Sequence, residues 1–347
     1  MESRERVLKA ISHQETDRVP FDMFGTYAPG KERIRTFMKA SSDEEMYSIF
    51  GIDFWEVGPF WPLVRNRFEN GKHVDEWGIP YENYSNCDVN AYYPLSDVFS
   101  VDEVESYKWP VIDNYYTDHI QKEIESHNQF AITASMGAPI FHQVGWLCGF
   151  ENMLVNLLSQ PEVSDAIIRK LTDFWIEYAK RILDIGKGRI DIIETRNDFG
   201  AQDSMIISPE LFRRFFKSAF KRLYDTIKQY DVKILHHSCG SITPIIPDFI
   251  EIGADILNPI QVTAYDMDPA TLKLKFGDKL TFHGGIDTQY VLPNGTTDDV
   301  RNEVQRMIGI LAKGGGYVLC GSQGLEADVP VENIIAMYDE GRKVRQY

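Results

Sequence analysis

His237 and Cys239 stand two residues apart at the end of a short apolar run that begins at Val232. On a strand, residues i and i+2 face the same way. The imidazole and the thiol therefore share one side, just before Gly240 and a helical segment take over. Both are donors that zinc prefers, and a catalytic zinc takes three protein ligands with a fourth position open. His-x-Cys supplies two of the three. Cys320, at the end of another apolar run, 317–320, is the candidate third. Taken alone, a cysteine there reads equally as a small buried hydrophobe. His236 points to the opposite face by alternation and is expected to pack.

Other residues at predicted strand ends carry chemistry too. Asp198, Asp287 and His283 are candidate catalytic groups. Each aspartate has an alternative as a cap that binds loop N–H groups, and the histidine as a hydrogen-bonded pocket residue. Asp22, Phe141, His142, Trp146 and Asn258 are candidate substrate contacts. Glu194 falls inside a strand, where an unpaired charge is costly, and Arg196 is its expected partner.

The elements that must position these groups alternate along the chain. Apolar runs at 18–24, 52–57, 130–135, 190–195, 232–237, 254–259, 280–283 and 317–320 read as strands, and helical periodicity follows nearly all of them. Ser100-x-x-Glu103 is a capping box. Ser208-Pro209-Glu210 combines a cap, a first-turn proline and an acid at the positive end of the helix dipole. A helix is expected over 31–50, two over 151–187 divided at Pro161, and a Gly/Pro-broken loop over 136–149. The aromatic-rich stretch 58–93, with Phe60, Trp61, Trp77 and Asn70-Gly71, reads as an excursion of short strands after strand two. It is either a cover for the site or a satellite hydrophobic cluster. Eight strands with intervening helices predict an α/β fold, a (β/α)8 TIM barrel, as one domain over 1–347. A doubly wound sheet is the alternative, but the first βα turn lacks a GxGxxG loop.

Composition narrows the partners. With 36 Lys and Arg against 52 Asp and Glu, the formal charge is −16. That argues against nucleic acid and against an anionic membrane surface. The four cysteines include no CxxC pair, the first residues lack the apolar core of a signal peptide, and no apolar run reaches the roughly 18 residues of a membrane span. A cytoplasmic protein with reduced thiols is expected.

Several stretches, in order, resemble the uroporphyrinogen decarboxylase superfamily over nearly the whole length. They are Asp17-Arg18-Val19-Pro20, Ile207-Ser208-Pro209-Glu210, His237-Ser238-Cys239-Gly240, Gly253 to Pro259, Gly284-Gly285-Ile286-Asp287 and Pro330-Val331-Glu332-Asn333-Ile334. The resemblance implies a (β/α)8 barrel and one of two chemistries. Cofactor-free decarboxylation of a tetrapyrrole uses an Arg-rich N-terminal motif, but the corresponding 22–30 here has no Arg. Zinc methyltransferases that work with a corrinoid carried by a partner protein use His-x-Cys and a distant Cys, which His237, Cys239 and Cys320 resemble. In the thiol methyltransferases that last Cys aligns nearer Gln323. The resemblance thus implies Zn2+, a corrinoid protein, and a small methyl donor such as a methoxy compound, or a thiol acceptor. A non-catalytic tetrapyrrole-binding module is a further alternative.

Overall fold

The computed structural model describes residues 1–58, 66–67, 73–84, 87–90, 92–115 and 119–344. Its frame is a seven-stranded parallel sheet in the order β1, β6, β7, β8, β9, β10, β11. These strands are Phe54–Val57, Ala131–Ser135, Ile192–Arg196, Lys233–His237, Ile256–Asn258, Thr281–His283 and Tyr317–Val318. Each pairs with the next in the chain, and helices make the crossovers a parallel sheet requires. Between β1 and β6 lies a separate four-stranded antiparallel sheet, β2 to β5, formed by Asn66–Arg67, His73–Val74, Pro80–Tyr84 and Cys87–Asn90.

The run 18–24 does not form a full strand. Pro20 has no N–H to donate, and the Phe21 N–H goes to the Asp53 carboxylate at 2.8 Å. Residues 20–22 nonetheless bond to both ends of the sheet. Leu319 N donates to Pro20 O at 2.9 Å, Asp22 N to Leu319 O at 3.1 Å, and Asp53 N to Phe21 O at 2.8 Å.

Alternation along the strands divides the apolar residues into two layers. On β8, Ile234 joins the core under the helices and Leu235 joins an inner cluster with Phe54, Ala131, Ile192, Ile256 and Val318. The N-terminal helix Ser3–Ile11 places Val7 and Ile11 in that inner cluster and so covers one end of the sheet. His236 faces the helices, as its alternation predicts. Its Nδ1 lies 2.6 Å from the Tyr224 hydroxyl and its ring 3.9 Å from that of Phe249.

Local signals predict some boundaries and miss others. Ser100 and Glu103 form the capping box, Ser208 caps the next helix start, and Pro161 begins a new helix after Ser159. The helix expected over 31–50 is two, Ala28–Met38 and Asp43–Phe50. Lys39 is left-handed (φ 56°), and Ser42 caps the second by accepting from Glu45 N. The expected loop 136–149 contains a helix, Phe141–Cys148. Its start is capped from far away, since Asn197 Oδ1 accepts from Phe141 N at 2.8 Å. Phe60, Trp61 and Asn70-Gly71 lie outside the described residues. Trp77 is buried against Phe174, with ring centroids 4.7 Å apart. No helix of the described residues is long and apolar enough to cross a membrane.

At the covered end of the sheet, Asp53 is fully buried and accepts from Arg6 Nη1 at 2.6 Å and Arg18 Nη1 at 2.8 Å. Removing one partner of a buried ion pair leaves the other charge uncompensated. Asp53→Ala is therefore expected to cost about 3 kcal/mol in urea unfolding. A change below about 0.5 kcal/mol, the scale of ordinary surface substitutions, would contradict this account.

Candidate metal centre and cavity

A cavity of about 960 Å³ opens at the carboxyl ends of the parallel strands. Asp198, His237, His142, Trp146, Arg196 and Gln323 are among its lining residues. Asp198 and His237, on its lining, and the adjacent Cys239 each offer one ligand atom, and these atoms lie within 4.8 Å of one another. Cys239 Sγ is 3.3 Å from His237 Nε2, and His237 Nε2 is 3.4 Å from Asp198 Oδ1.

Local geometry explains how Asp198 arrives there. β7 and β8 run in register, with Arg196 opposite His237. Beyond them the two loops interlock: Asn197 N donates to His237 O at 2.8 Å, Phe199 N to Ser238 Oγ at 2.9 Å, and Cys239 N to Asp198 Oδ1 at 2.7 Å. The backbones touch at Gly200 and Gly240. A Cβ on Gly200 would lie 2.6 Å from Cys239 O, and one on Gly240 would lie 2.6 Å from Ala201 O. Gly240 also has φ +81°, a conformation other residues rarely adopt.

The charges inside the cluster support one another. Burial opposes the His237 imidazolium, but hydrogen bonds to Asp198 and Cys239 outweigh it and hold its pKa up at about 10. Burial likewise opposes ionised Asp198, yet His237 and the Cys239 N–H hold it below the usual carboxylate range. His237 and Asp198 thus stabilise each other's charge. One imidazole, one thiolate and one carboxylate match a catalytic zinc with an open position, and the thiolate argues against magnesium or calcium.

A second polar group faces the same cavity. Glu194 is fully buried and paired with Arg196, as expected. Arg196 also reaches Glu56 at 3.2 Å and lies 4.8 Å over the Phe24 ring. Burial and the nearby Glu194 raise Glu56 to about 7, against the pull of Arg196 and Lys31. Its side chain is still 32% exposed, and because it lines the cavity that exposure is to a confined space.

The remaining expected site residues divide. His142 and Trp146 line the cavity, and His142 Nε2 is 3.6 Å from Asp198 Oδ2. Phe141 does not reach it, being fully buried with its ring 4.5 Å from Phe199. Asp287 accepts from Gln289 N at 2.8 Å and Val291 N at 3.3 Å, the loop-cap alternative. Asn258, His283 and Asp22 lie behind the wall: Asn258 Oδ1 meets His237 Nδ1, Asn258 Nδ2 is 2.7 Å from His283 Nδ1, and His283 Nε2 is 2.9 Å from Asp22 Oδ2. Cys320 corrects the expected ligand set. It is buried in the inner apolar cluster, where burial pushes its thiol well above the ordinary range. It does not join Asp198, His237 and Cys239. Gln323 comes to the cluster instead, and its Nε2 donates to Cys239 Sγ at 3.1 Å.

Residues 95–344 match the family model described as uroporphyrinogen decarboxylase (URO-D). Among curated relatives, a methylated-thiol–coenzyme M methyltransferase of Methanosarcina mazei is 25% identical over 197 residues, covering 56% of this chain and 49% of the relative. A methylcobamide:CoM methyltransferase of the same organism is 27% identical over 170 residues, covering 47% of this chain and 46% of the relative. A uroporphyrinogen decarboxylase of Chlamydia caviae is 23% identical over 188 residues, covering 54% and 52%. The chain spans about half the length of these relatives. A solved methyltransferase from Methanosarcina mazei shares the fold, with a TM-score of 0.70 at 16% identity over 99% of both chains.

Two outcomes follow from this geometry. Gly240→Ala forces the interlocked loops apart, so zinc affinity measured by chelator competition is expected to fall about 10-fold or more; unchanged affinity would show that the loops do not need that contact. Glu56 is protonated more readily in the fold than its ordinary value of 4.5, so its ionisation costs stability as pH rises from 4.5 to about 7. Glu56→Gln is expected to melt above the wild type at pH 8, with the difference closing below pH 4.5. A constant offset across that range would contradict the assignment.

Proposed function

The chain belongs to the uroporphyrinogen decarboxylase (URO-D) family, and within it we propose a zinc-dependent methyltransferase that moves a methyl group between a small methoxy donor, or a thiol, and a corrinoid carried by a partner protein. The observation that carries this reading is the Asp198, His237 and Cys239 cluster, two of whose members line an open cavity. The relatives named for methyl transfer support it. Decarboxylation of a tetrapyrrole, as in the relatives named for that reaction, would need free cations to hold several carboxylates. Here Arg196 is taken by Glu194 and Glu56, and Arg35 by Asp43 at 3.2 Å.

Asp198, His237 and Cys239 would hold the ion. With one thiolate rather than two, a bound zinc is electron-poor enough to draw charge off the oxygen that a methyl group leaves. Asp198 is steadied at one oxygen by the Cys239 N–H and lies 3.6 Å from His142 at the other. Burial keeps His142 neutral, against the pull of Asp198, so its ring can hold a proton beside the departing oxygen. Phe24, Tyr27 and Trp146 give the cavity aromatic walls suited to an aromatic methoxy compound. Glu56 and Arg196 supply a polar end where a ring substituent can hydrogen-bond. For a methoxy donor, the methyl–oxygen bond would break with its electron pair left on oxygen, and the methyl would be taken by the electron pair of a Co(I) corrinoid.

We also read residues 20–22 as the eighth strand, closing a (β/α)8 barrel, and β2 to β5 as an excursion from it. The backbone bonds from Pro20, Phe21 and Asp22 to both sheet ends support the closure. The whole of 1–347 is then one barrel domain, at work in the cytoplasm.

Metal analysis of the purified protein tests the centre. About one zinc per chain is expected, retained in Cys320→Ser and lost in Cys239→Ser and Asp198→Ala. Methyl transfer from a methoxybenzoate to Co(I) cobalamin, followed by its visible spectrum, should fall more than about 100-fold in Cys239→Ser. Wild-type protein that binds no zinc, or Cys320→Ser that loses it, would overturn the assignment.

A further inference from the structure

Three neighbouring parallel strands end in side chains that hydrogen-bond in series. His237 ends β8, Asn258 ends β9 in register with it, and His283 ends β10. The series continues to Asp22, beside the β11 end of the sheet. None of the four is exposed, and His283 and Asn258 are almost wholly buried. Phe24 stacks on His237 with ring centroids 5.5 Å apart and meets His283 edge-on at the same distance, which screens the series from the cavity.

The donors and acceptors run in one direction only. The Asp22 side chain faces one backbone N–H and one ring nitrogen. Its Oδ1 takes the Met23 N–H at 2.7 Å, and its Oδ2 takes His283 Nε2–H at 2.9 Å. With that one ring proton on Nε2, His283 Nδ1 is bare and accepts from Asn258 Nδ2 at 2.7 Å. The His283 carbonyl oxygen, another pure acceptor, lies 3.5 Å from the same nitrogen. Both neighbours on that side call for the amide nitrogen, so the amide oxygen faces His237. That oxygen needs a donor, and His237 Nδ1 supplies it. With Nδ1 keeping its proton, Nε2, aimed at Asp198 and Cys239, is the nitrogen that would give up its proton to a metal. A reversed amide would call for the proton on Nε2 and block ligation.

We propose that Asp22, His283 and Asn258 form a positioning relay that sets the tautomer of His237 for metal binding. This rests on reading the cluster as a metal centre. None of the three touches the ion or the substrate. Asp22 acts through two intervening side chains, from the far end of the β8–β11 arc.

The test has a metal-independent arm and a metal-dependent one. In metal-free protein labelled with ¹⁵N-histidine, with the His283→Gln spectrum used for assignment, His283 should be the neutral Nε2–H tautomer with a bare Nδ1. A His283 ring protonated at Nδ1 overturns the relay whether or not the protein takes up zinc. In chelator competition, His283→Phe and Asp22→Ala should weaken zinc about 10–100-fold. His283→Gln, whose amide can accept from Asn258 and donate to Asp22, should retain wild-type affinity. Thermal melts confirm that each variant is folded. Folded His283→Phe with wild-type affinity, or His283→Gln as weak as His283→Phe, overturns the proposal. If the wild type itself binds no zinc, the metal reading fails and the tautomer of His283 still decides the relay.

Discussion

Arg196 lies opposite His237, and His237 opposite Asn258, in a parallel ladder of evenly spaced bonds. A one-residue shift of β8 would turn Leu235 and His237 toward the helices and bring His236 inside. The inner apolar cluster resists such a shift, because Ile192, Leu235 and Ile256 all pack within it. The register that packs the core therefore also sets the height of the polar layer above it. The Asp198, His237 and Cys239 cluster, the hydrogen-bonded series to Asp22 and the cavity wall all stand on that layer.

Buried charged and ionisable groups at the sheet are costly, and three of them have named partners. Glu194 has Arg196, His283 has Asp22, and Asp53 has two arginines at the covered end. The two ends differ in kind. At the covered end the charges pair with one another and with backbone. At the cavity end, Glu56 is held near neutrality and Asp198 below its usual range. That asymmetry of pKa within one cavity is the mark of a site built to handle charge.

Cys320 and Gln323 show how a small offset alters chemistry. After β11 the chain follows residues 286–288, with a parallel bridge from Ile286 to Gly321 and Ser322 N bonded to Ile286 O at 2.7 Å. Cys320 is still within the strand direction and points into the inner cluster. Three residues later Gln323 has come over the top to Cys239 Sγ. An amide donor at that place lowers the charge density on sulfur, where a second thiolate would raise it.

The two-residue period of a strand is local, so the sequence by itself determined that His237 and Cys239 share a face and that His236 does not. The alternation of strands and helices, the capping box at Ser100 and the breaks at Pro161 and Ser208 were legible for the same reason. Each depends on residues within a few positions of one another. The helix Phe141–Cys148 was not legible, because its cap is Asn197, supplied by another loop. Nor was the third donor. Asp198 joins the other two only because the backbones at Gly200 and Gly240 come into contact across forty residues of chain. The relay through Asn258 and His283 to Asp22 joins residues 261 positions apart. Such contacts belong to the tertiary structure, because they depend on where neighbouring strands stop and how closely their loops approach.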